Sequence, residues 1–328
     1  MKTNSIVYGK SEKKIKKIPD NQVDLIYLDP PFFTDRKFNS FDDKWKSLHD
    51  YLSFMNEIIV QSHRVLKNTG SIYLHCDMHA SHYLKIELDK VFGRKNFRNE
   101  IIWKRHNAHN DTKQGSKMFG RIHDTIFHYS KSNNFTWNPI YQPYPEEYIE
   151  KYYNHIEPET GRRYALGDVS GPGGASKGNP RYSFLGVTRY YRFSKKRMER
   201  MYKEGRIVQK TKGTVPLQKR YLDEMDGIML QDVWDDIKSV QITKNEDTGY
   251  STQKPLKLLE RIIQVSSNEK DLVLDAMCGS GTTLVASHNL DRKFIGIDSN
   301  KEACQIARKR IKERSISEIE MMEPVLLP

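Results

Sequence analysis

Asp29-Pro30-Pro31-Phe32 sets a carboxylate, two residues without an amide hydrogen and an aromatic ring in immediate succession. The combination suits one kind of chemistry. An exocyclic amino group on a nucleobase is a poor nucleophile, because its lone pair is delocalised into the ring. Two acceptors on its two hydrogens can turn the nitrogen toward a methyl donor. Asp29 supplies one acceptor, and the Pro30 carbonyl, pre-aimed by the fixed proline backbone, supplies the other. Phe32 can stack on a base drawn out of a duplex, and positioning then carries most of the rate. The same four residues could also close a strand with a proline-rich turn and bury Phe32, so the run needs company.

That company is Asp275-Ala276-Met277-Cys278-Gly279-Ser280-Gly281-Thr282-Thr283. Its glycines allow a tight turn and close approach to a ligand. Asp298, seventeen residues after Gly281, sits where an acid can accept hydrogen bonds from both hydroxyls of a ribose. Nicotinamide binders share this geometry. Here, however, Thr283 or Leu284 takes the place of their third glycine, and Asp275 would repel a pyrophosphate. A cationic ligand, such as a sulfonium carrying an amino group, suits the acidic loop better. His75, His79 and His82 have a spacing that could suit a metal; they read instead as polar residues facing out where a strand runs into a helix, and no metal is expected.

Both motifs need a strand behind them and a helix after them. Val23 to Leu28 reads as a buried strand ending at Asp29. Leu52, Met55, Ile58, Ile59 and Leu66 recur at helical spacing over residues 50–66, with a stop at Asn68-Thr69-Gly70 and a strand from Ser71. Ile101 to Trp103 and Thr125 to Tyr129 read as further strands. Later, Pro255 opens a helix with Leu256, Leu259, Ile262 and Ile263 on one face. Leu272 to Leu274 is a strand, a helix begins at Thr282, Phe294 to Ile297 is a strand, and a helix over 302–311 closes the pattern. The fold class is α/β. Residues 1–131 hold the first motif, 250–315 hold the second, and 316–328 form a tail.

Between them, residues 132–249 change texture: Tyr, Pro, Gly and basic residues dominate and periodicity is weak. The chain carries a net charge of +12, and from Lys177 to Arg220 fourteen Lys or Arg face only two acids, a local excess of the same size. A surface of that sign attracts a phosphate backbone. Aromatics are interleaved, among them Tyr182, Phe184, Tyr190, Tyr191, Phe193 and Tyr202, and the alternation through Phe193 fits a strand with one buried face. Ser194 can cap a short basic helix. Arg189, Arg192, Lys195, Lys196 and Arg197 are, as a group, the candidate DNA contacts. No apolar run is long enough to span a bilayer. The opening residues lack the apolar core of a signal peptide, and Cys76, Cys278 and Cys304 form neither a disulfide framework nor a zinc pattern. A cytosolic protein is expected.

Taken together, these residues resemble the amino-methyltransferases of restriction-modification systems, in the permuted order called the beta class. Asp29-Pro30-Pro31-Phe32 is similar to their catalytic motif, Asp275 to Gly281 to their cofactor motif, and Thr252-Gln253-Lys254-Pro255 to the segment lining the methionine end of the cofactor. Arg121-Ile122-His123-Asp124-Thr125-Ile126 resembles a segment near the target base. Gly178 to Tyr182 and Gln231 to Ile237 resemble the recognition insert of a bacterial subgroup. The resemblance implies a Rossmann-like sheet, S-adenosylmethionine as cofactor, and cofactor contacts at Asp275, Met277, Gly279, Ser280, Gly281, Thr282, Asp298, Lys254 and Pro255. It implies duplex DNA as substrate and, with Asp first in the tetrapeptide, N6 of adenine as target, N4 of cytosine being the alternative. It leaves room for a homodimer and a cognate restriction endonuclease as partners. An RNA methyltransferase, a catalytically dead DNA-binding scaffold and a nicotinamide oxidoreductase are the rival readings. The chain departs from the family at Ala276 and Met277, where Pro and an aromatic are usual, at Lys10, where an acid often follows Gly9, and at Phe33, which is placed in the core or in a lid.

Overall fold

The computed structural model describes residues 1–38, 43–106, 115, 117–244 and 246–322. Two compact units emerge. The first comprises residues 1–139 and 231–328, the second Ile140–Leu230.

The first unit is built on an eight-stranded mixed sheet. Its strands in chain order are β1 (Ser5–Tyr8), β2 (Val23–Leu28), β3 (Leu66–Cys76), β4 (Phe97–Lys104), β5 (His123–Ser130), β6 (Val233–Trp234), β7 (Leu272–Asp275) and β8 (Lys293–Asp298). Across the sheet they run β1-β8-β7-β2-β3-β5-β4-β6. Neighbours from β1 through β3 are parallel, β3/β5 and β5/β4 are antiparallel, and β4/β6 is parallel again. All six residues of β2 are buried, as a strand covered on both faces requires. The principal helices are α1 (Leu48–Val65), α2 (Ser81–Phe92), α3 (Leu256–Ser266), α4 (Thr282–Asn289) and α5 (Lys301–Met322). No helix among the described residues is long and apolar enough to cross a membrane.

Helix α1 starts where Ser47 accepts a hydrogen bond from the Asp50 amide at 3.1 Å, an N-cap. It buries Tyr51, Met55, Ile58, Ile59 and Val65, one stripe at helical spacing. It ends at Val65, and β3 begins at Leu66 without a break. The expected stop at Asn68-Thr69-Gly70 is therefore strand, five residues earlier than the strand start at Ser71. Gly70 packs against the Leu66 side chain and the Asp24 carbonyl so closely that a Cβ would lie within 2.8 Å of both, so this glycine serves packing and not a turn. The closing helix α5 runs to Met322, beyond the expected end at Ile311, and takes in most of what reads as a tail; residues 323–328 lie outside the described residues.

The second unit is narrower than the 132–249 region that composition suggests. Gln231 to Ile237 belongs to the first unit, because Val233 and Trp234 pair with Ile102 and Trp103 as β6. The unit contains a four-stranded antiparallel sheet with Leu217–Tyr221 and Arg163–Asp168 at its centre and a hairpin of Arg181–Phe184 with Val187–Tyr190. Tyr191, expected in the strand, lies past its end yet is fully buried with Val169, Phe184, Met198, Met201 and Ile207. Ser194 caps the helix Lys195–Lys203 by accepting from the Arg197 amide.

Candidate active site

In the first unit β7 leads through α4 to β8 on one side, while β2 leads through α1 to β3 on the other. Because β7 and β2 are neighbours, with Asp275 opposite Tyr27, their outgoing loops part and leave a crevice at the strand ends. This is the switch point at which open α/β sheets bind ligands. A cavity of about 800 Å³ lies there. Its wall contains Asp29, Pro30, Pro31 and Phe32 from the β2 end, Asp275, Met277, Gly279, Ser280 and Thr282 from the β7 loop, Asp298 from the β8 end, and Lys254. Two expected residues stand back from the wall. Pro255 is buried as the N-cap of α3, and Gly281 is buried as the N-cap of α4. At Gly281, φ is +80° and a Cβ would stand 2.6 Å from Ala307, so glycine is required there by backbone and by space.

The β2 loop is held from several directions. The Tyr51 hydroxyl donates to the Pro31 carbonyl at 2.9 Å. Asp43, almost wholly buried, accepts from the amides of Phe33 and Thr34, from the Thr34 hydroxyl and from the Trp45 indole. Phe33 takes a left-handed conformation with φ of +60° and stacks on Tyr51 at 5.3 Å, which places it against the core. Phe32 stacks on His75, the centroids 5.9 Å apart and the planes 26° from parallel. His75 is itself fully buried, with one ring nitrogen 2.7 Å from the Tyr27 hydroxyl and the other 3.1 Å from the Asp124 carboxylate. It is a satisfied core histidine and not the outward-facing residue expected, because Tyr27 and Asp124 supply partners for both ring nitrogens inside the sheet. Asp124 also pairs with Arg105 at 3.2 Å.

Asp29 has two unlike oxygens. Oδ2 accepts from the Lys254 ammonium at 2.5 Å. Oδ1 is buried and has no hydrogen-bond partner among the described residues, a costly condition for a carboxylate oxygen.

The two acids of the other loop behave differently. Asp298 accepts from the Gly279 amide at 2.8 Å and the Asn300 amide at 2.7 Å, so it ties the glycine turn to the end of β8. Burial raises its carboxyl above the usual range. Asp275 accepts from the Met277 amide and the Thr283 hydroxyl; burial outweighs these bonds and pushes it up to about 7. A folded chain thus keeps this proton to about pH 7, whereas an unfolded chain releases it in the usual carboxylate range. On Asp275's account the cofactor-free fold loses stability as pH rises through that interval and levels off above it. Asp275→Asn should remove this slope, so its urea midpoints at about pH 5 and about pH 8 should lie closer together than those of the parent. An unchanged gap would mean that Asp275 is ionised in the fold.

Several wall residues carry no sequence signal of their own. Tyr27, Trp45, Phe54, Tyr250, Ser11 and Asn300 all line the cavity. Ser11 does so by donating to the Ala276 carbonyl at 2.5 Å, which only the β1–β8 pairing makes reachable. Arg310 on α5 donates to the Ser280 carbonyl and the Thr282 hydroxyl and supports the turn from outside. The candidate DNA contacts lie apart from the cavity's residues in sequence, all in the second unit. Lys195, Lys196 and Arg197 are exposed, Arg189 is half-buried, and the exposed Arg192 donates from Nε to the Ser170 carbonyl.

Comparison with known proteins gives the class. The family model described as DNA methylase, covering N6 and N4 amino-methyltransferases, matches residues 23–309. The type II methyltransferase M.EcaI of Enterobacter cloacae is 30% identical over 319 residues, which are 94% of this chain and 69% of the relative. The DNA adenine methyltransferase YhdJ of Escherichia coli is 27% identical over 308 residues, 94% of this chain and 82% of the relative. Among solved structures, the cytosine-N4-specific PvuII DNA methyltransferase shares the fold with a TM-score of 0.53 at 16% identity, covering 97% of this chain and 92% of its own. The M1.HpyAVI–SAM complex does so with 0.51 at 20%, covering 94% and 98%. The chain belongs to the DNA methylase family. It is a DNA methyltransferase of the N6-adenine/N4-cytosine type, and the family's methyl donor is S-adenosylmethionine.

Proposed function

We propose that this chain methylates N6 of adenine at a specific sequence in duplex DNA, on a Rossmann-like methyltransferase sheet in the permuted order, with Ile140–Leu230 reading the target. The carrying observation is Asp29 Oδ1, an acceptor that faces burial without a donor at the end of β2 in the cavity wall. An amino group of a base supplies the missing donor. Aspartate at the head of the tetrapeptide and likeness to an adenine methyltransferase at 27% identity favour adenine over cytosine.

The cavity suits the family's donor. Asp298 faces it from the end of β8, and the Gly279–Gly281 turn permits close approach of a nucleoside. Asp298 would take the ribose hydroxyls on the lone pairs its two amide bonds leave, while Met277, Ser280 and Thr282 line the rest. When bound, S-adenosylmethionine supplies an electrophilic methyl group on sulfur. The chain's own residues do the orienting. Asp29 Oδ1 accepts one amino hydrogen, the Pro30 carbonyl accepts the other, and Phe32, backed by His75, presents a flat face to the base. The nitrogen lone pair is thereby freed from the ring and directed.

The second unit supports DNA reading through an electrostatic cost. Lys195, Lys196 and Arg197 occupy the first turn of their helix, with no acid among them. Cations there oppose the helix dipole, each by about 0.3–1 kcal/mol, and phosphate oxygens would relieve that opposition. Changing all three to glutamine should weaken DNA binding about tenfold or more and reduce the salt slope of log K by about 2–3, while leaving S-adenosylmethionine binding as it is. A slope equal to the parent's would remove these residues from the interface. Beyond DNA, a homodimer and a cognate restriction endonuclease are the partners this reading proposes.

The deciding experiment is single-molecule sequencing of genomic DNA from a methylation-free host expressing this chain, beside Asp29→Ala. Methyladenine at one short motif, present only with the intact protein, is the expected result. Methylcytosine instead would overturn the base assignment, and no modified base from a protein that binds S-adenosylmethionine would overturn the reading of the second unit as a self-sufficient DNA reader.

A further inference from the structure

We infer that Lys254 is a positioning residue for Asp29 and not a ligand of the cofactor. This rests on the methyl transfer proposed above. Its resemblance to a cofactor-lining segment would direct Lys254 toward the methionine end, but the structure spends its charge elsewhere. The ammonium lies 2.5 Å from Asp29 Oδ2, and the two side chains are only 12% and 18% exposed. It also stands 5.4 Å from the centre of the Phe32 ring and 3.5 Å from the carbonyl of Thr252 in its own loop.

This arrangement answers a geometric need. The terminal torsion of an aspartate is broad, so a lone carboxylate at the end of a strand would not keep one oxygen aimed at a base. Lys254 fixes Oδ2, and the opposite oxygen, Oδ1, is then held in one direction with its lone pairs unspent. A charge-assisted bond between groups so little exposed is hard to break by rotation. The neighbouring residues make the lysine's own place firm. Gln253 is buried, accepts from Thr248 and donates to the Glu246 carbonyl, and the Glu246 carboxylate accepts from the Leu256 amide at the start of α3.

The test separates kcat from cofactor affinity on unmethylated genomic DNA, with S-adenosylmethionine binding measured by calorimetry. Lys254→Met should lower kcat on the order of 10²-fold, the cost of a misplaced catalytic group, with the cofactor dissociation constant within about twofold of the parent's. Lys254→Arg, which restores a cation, should recover about tenfold or more of that loss. If instead cofactor affinity falls about tenfold or more while kcat at saturation holds, Lys254 is a cofactor ligand and the inference fails. Should thermal unfolding show that Lys254→Met does not fold, Lys254→Gln is judged by the same two numbers. A parent protein that methylates no DNA would sink the proposed function itself, a result distinct from either outcome.

Discussion

Asp29→Ala is expected to lower methyl transfer by about 10³-fold or more while S-adenosylmethionine binds within a few-fold of the parent's affinity. The loss has two sources. The variant has no Oδ1 to accept an amino hydrogen, and it strands the Lys254 ammonium, only 12% exposed, without its counter-charge. Asp29→Asn should fare little better, because an amide must turn donors toward either Lys254 or the amino group, and both are donors themselves. Cofactor binding survives because the glycine turn is organised by Asp298, Asp275 and Arg310, none of which depends on Asp29. Transfer of labelled methyl groups to genomic DNA, beside calorimetry with the cofactor, measures both. An Asp29→Ala protein as active as its parent would end the mechanism.

The second large effect is expected at Asp298. Asp298→Ala should weaken S-adenosylmethionine binding about a hundredfold, through lost acceptors for the ribose and lost anchors for Gly279 and Asn300. Hydrogen bonds to a charged group contribute about 1.5–3 kcal/mol each, so losing one ribose bond and loosening the turn reaches that size. Once saturated with cofactor, the variant should keep much of its kcat, since Asp29 and Phe32 are untouched. That pattern is the mirror of the Asp29 result. If Asp298→Ala bound cofactor as tightly as the parent, the ribose would have to lie elsewhere.

Much of this site was legible in the sequence because its residues stand at strand ends. Strand β2 is apolar from Leu25 to Leu28 just before Asp29, and β7 from Leu272 to Leu274 just before Asp275, so each motif advertised the strand that positions it. Their adjacency was not legible, because nothing local says that residues near 27 and 275 are neighbours in a sheet. For the same reason Ser11, Tyr250 and Asn300 were not foreseen on the wall, nor was the salt bridge from Lys254 to an acid 225 residues away. The boundary between α1 and β3 was misplaced because Asn68-Thr69-Gly70 has turn composition, yet pairing with β2 and packing against Leu66 override it. Gln231 to Ile237 sits with basic and aromatic neighbours in sequence, but Trp234 is buried beside β4 and belongs to the sheet. Composition could place the basic segment; it could not say which cations were already engaged, as Arg192 is with Ser170.

The strand order also bears on how the chain is made. Strand β1 sits at the sheet's edge against β8, and β7 lies between β8 and β2. On a ribosome β1 therefore emerges long before its partner and waits for it until about residue 298 is synthesised, and the apolar flank of β2 stays uncovered almost as long. Contacts this distant fold late and leave strand edges exposed meanwhile. Such a nascent chain holds Asp29 but no cofactor turn, so a truncated product cannot modify the genome that encodes it.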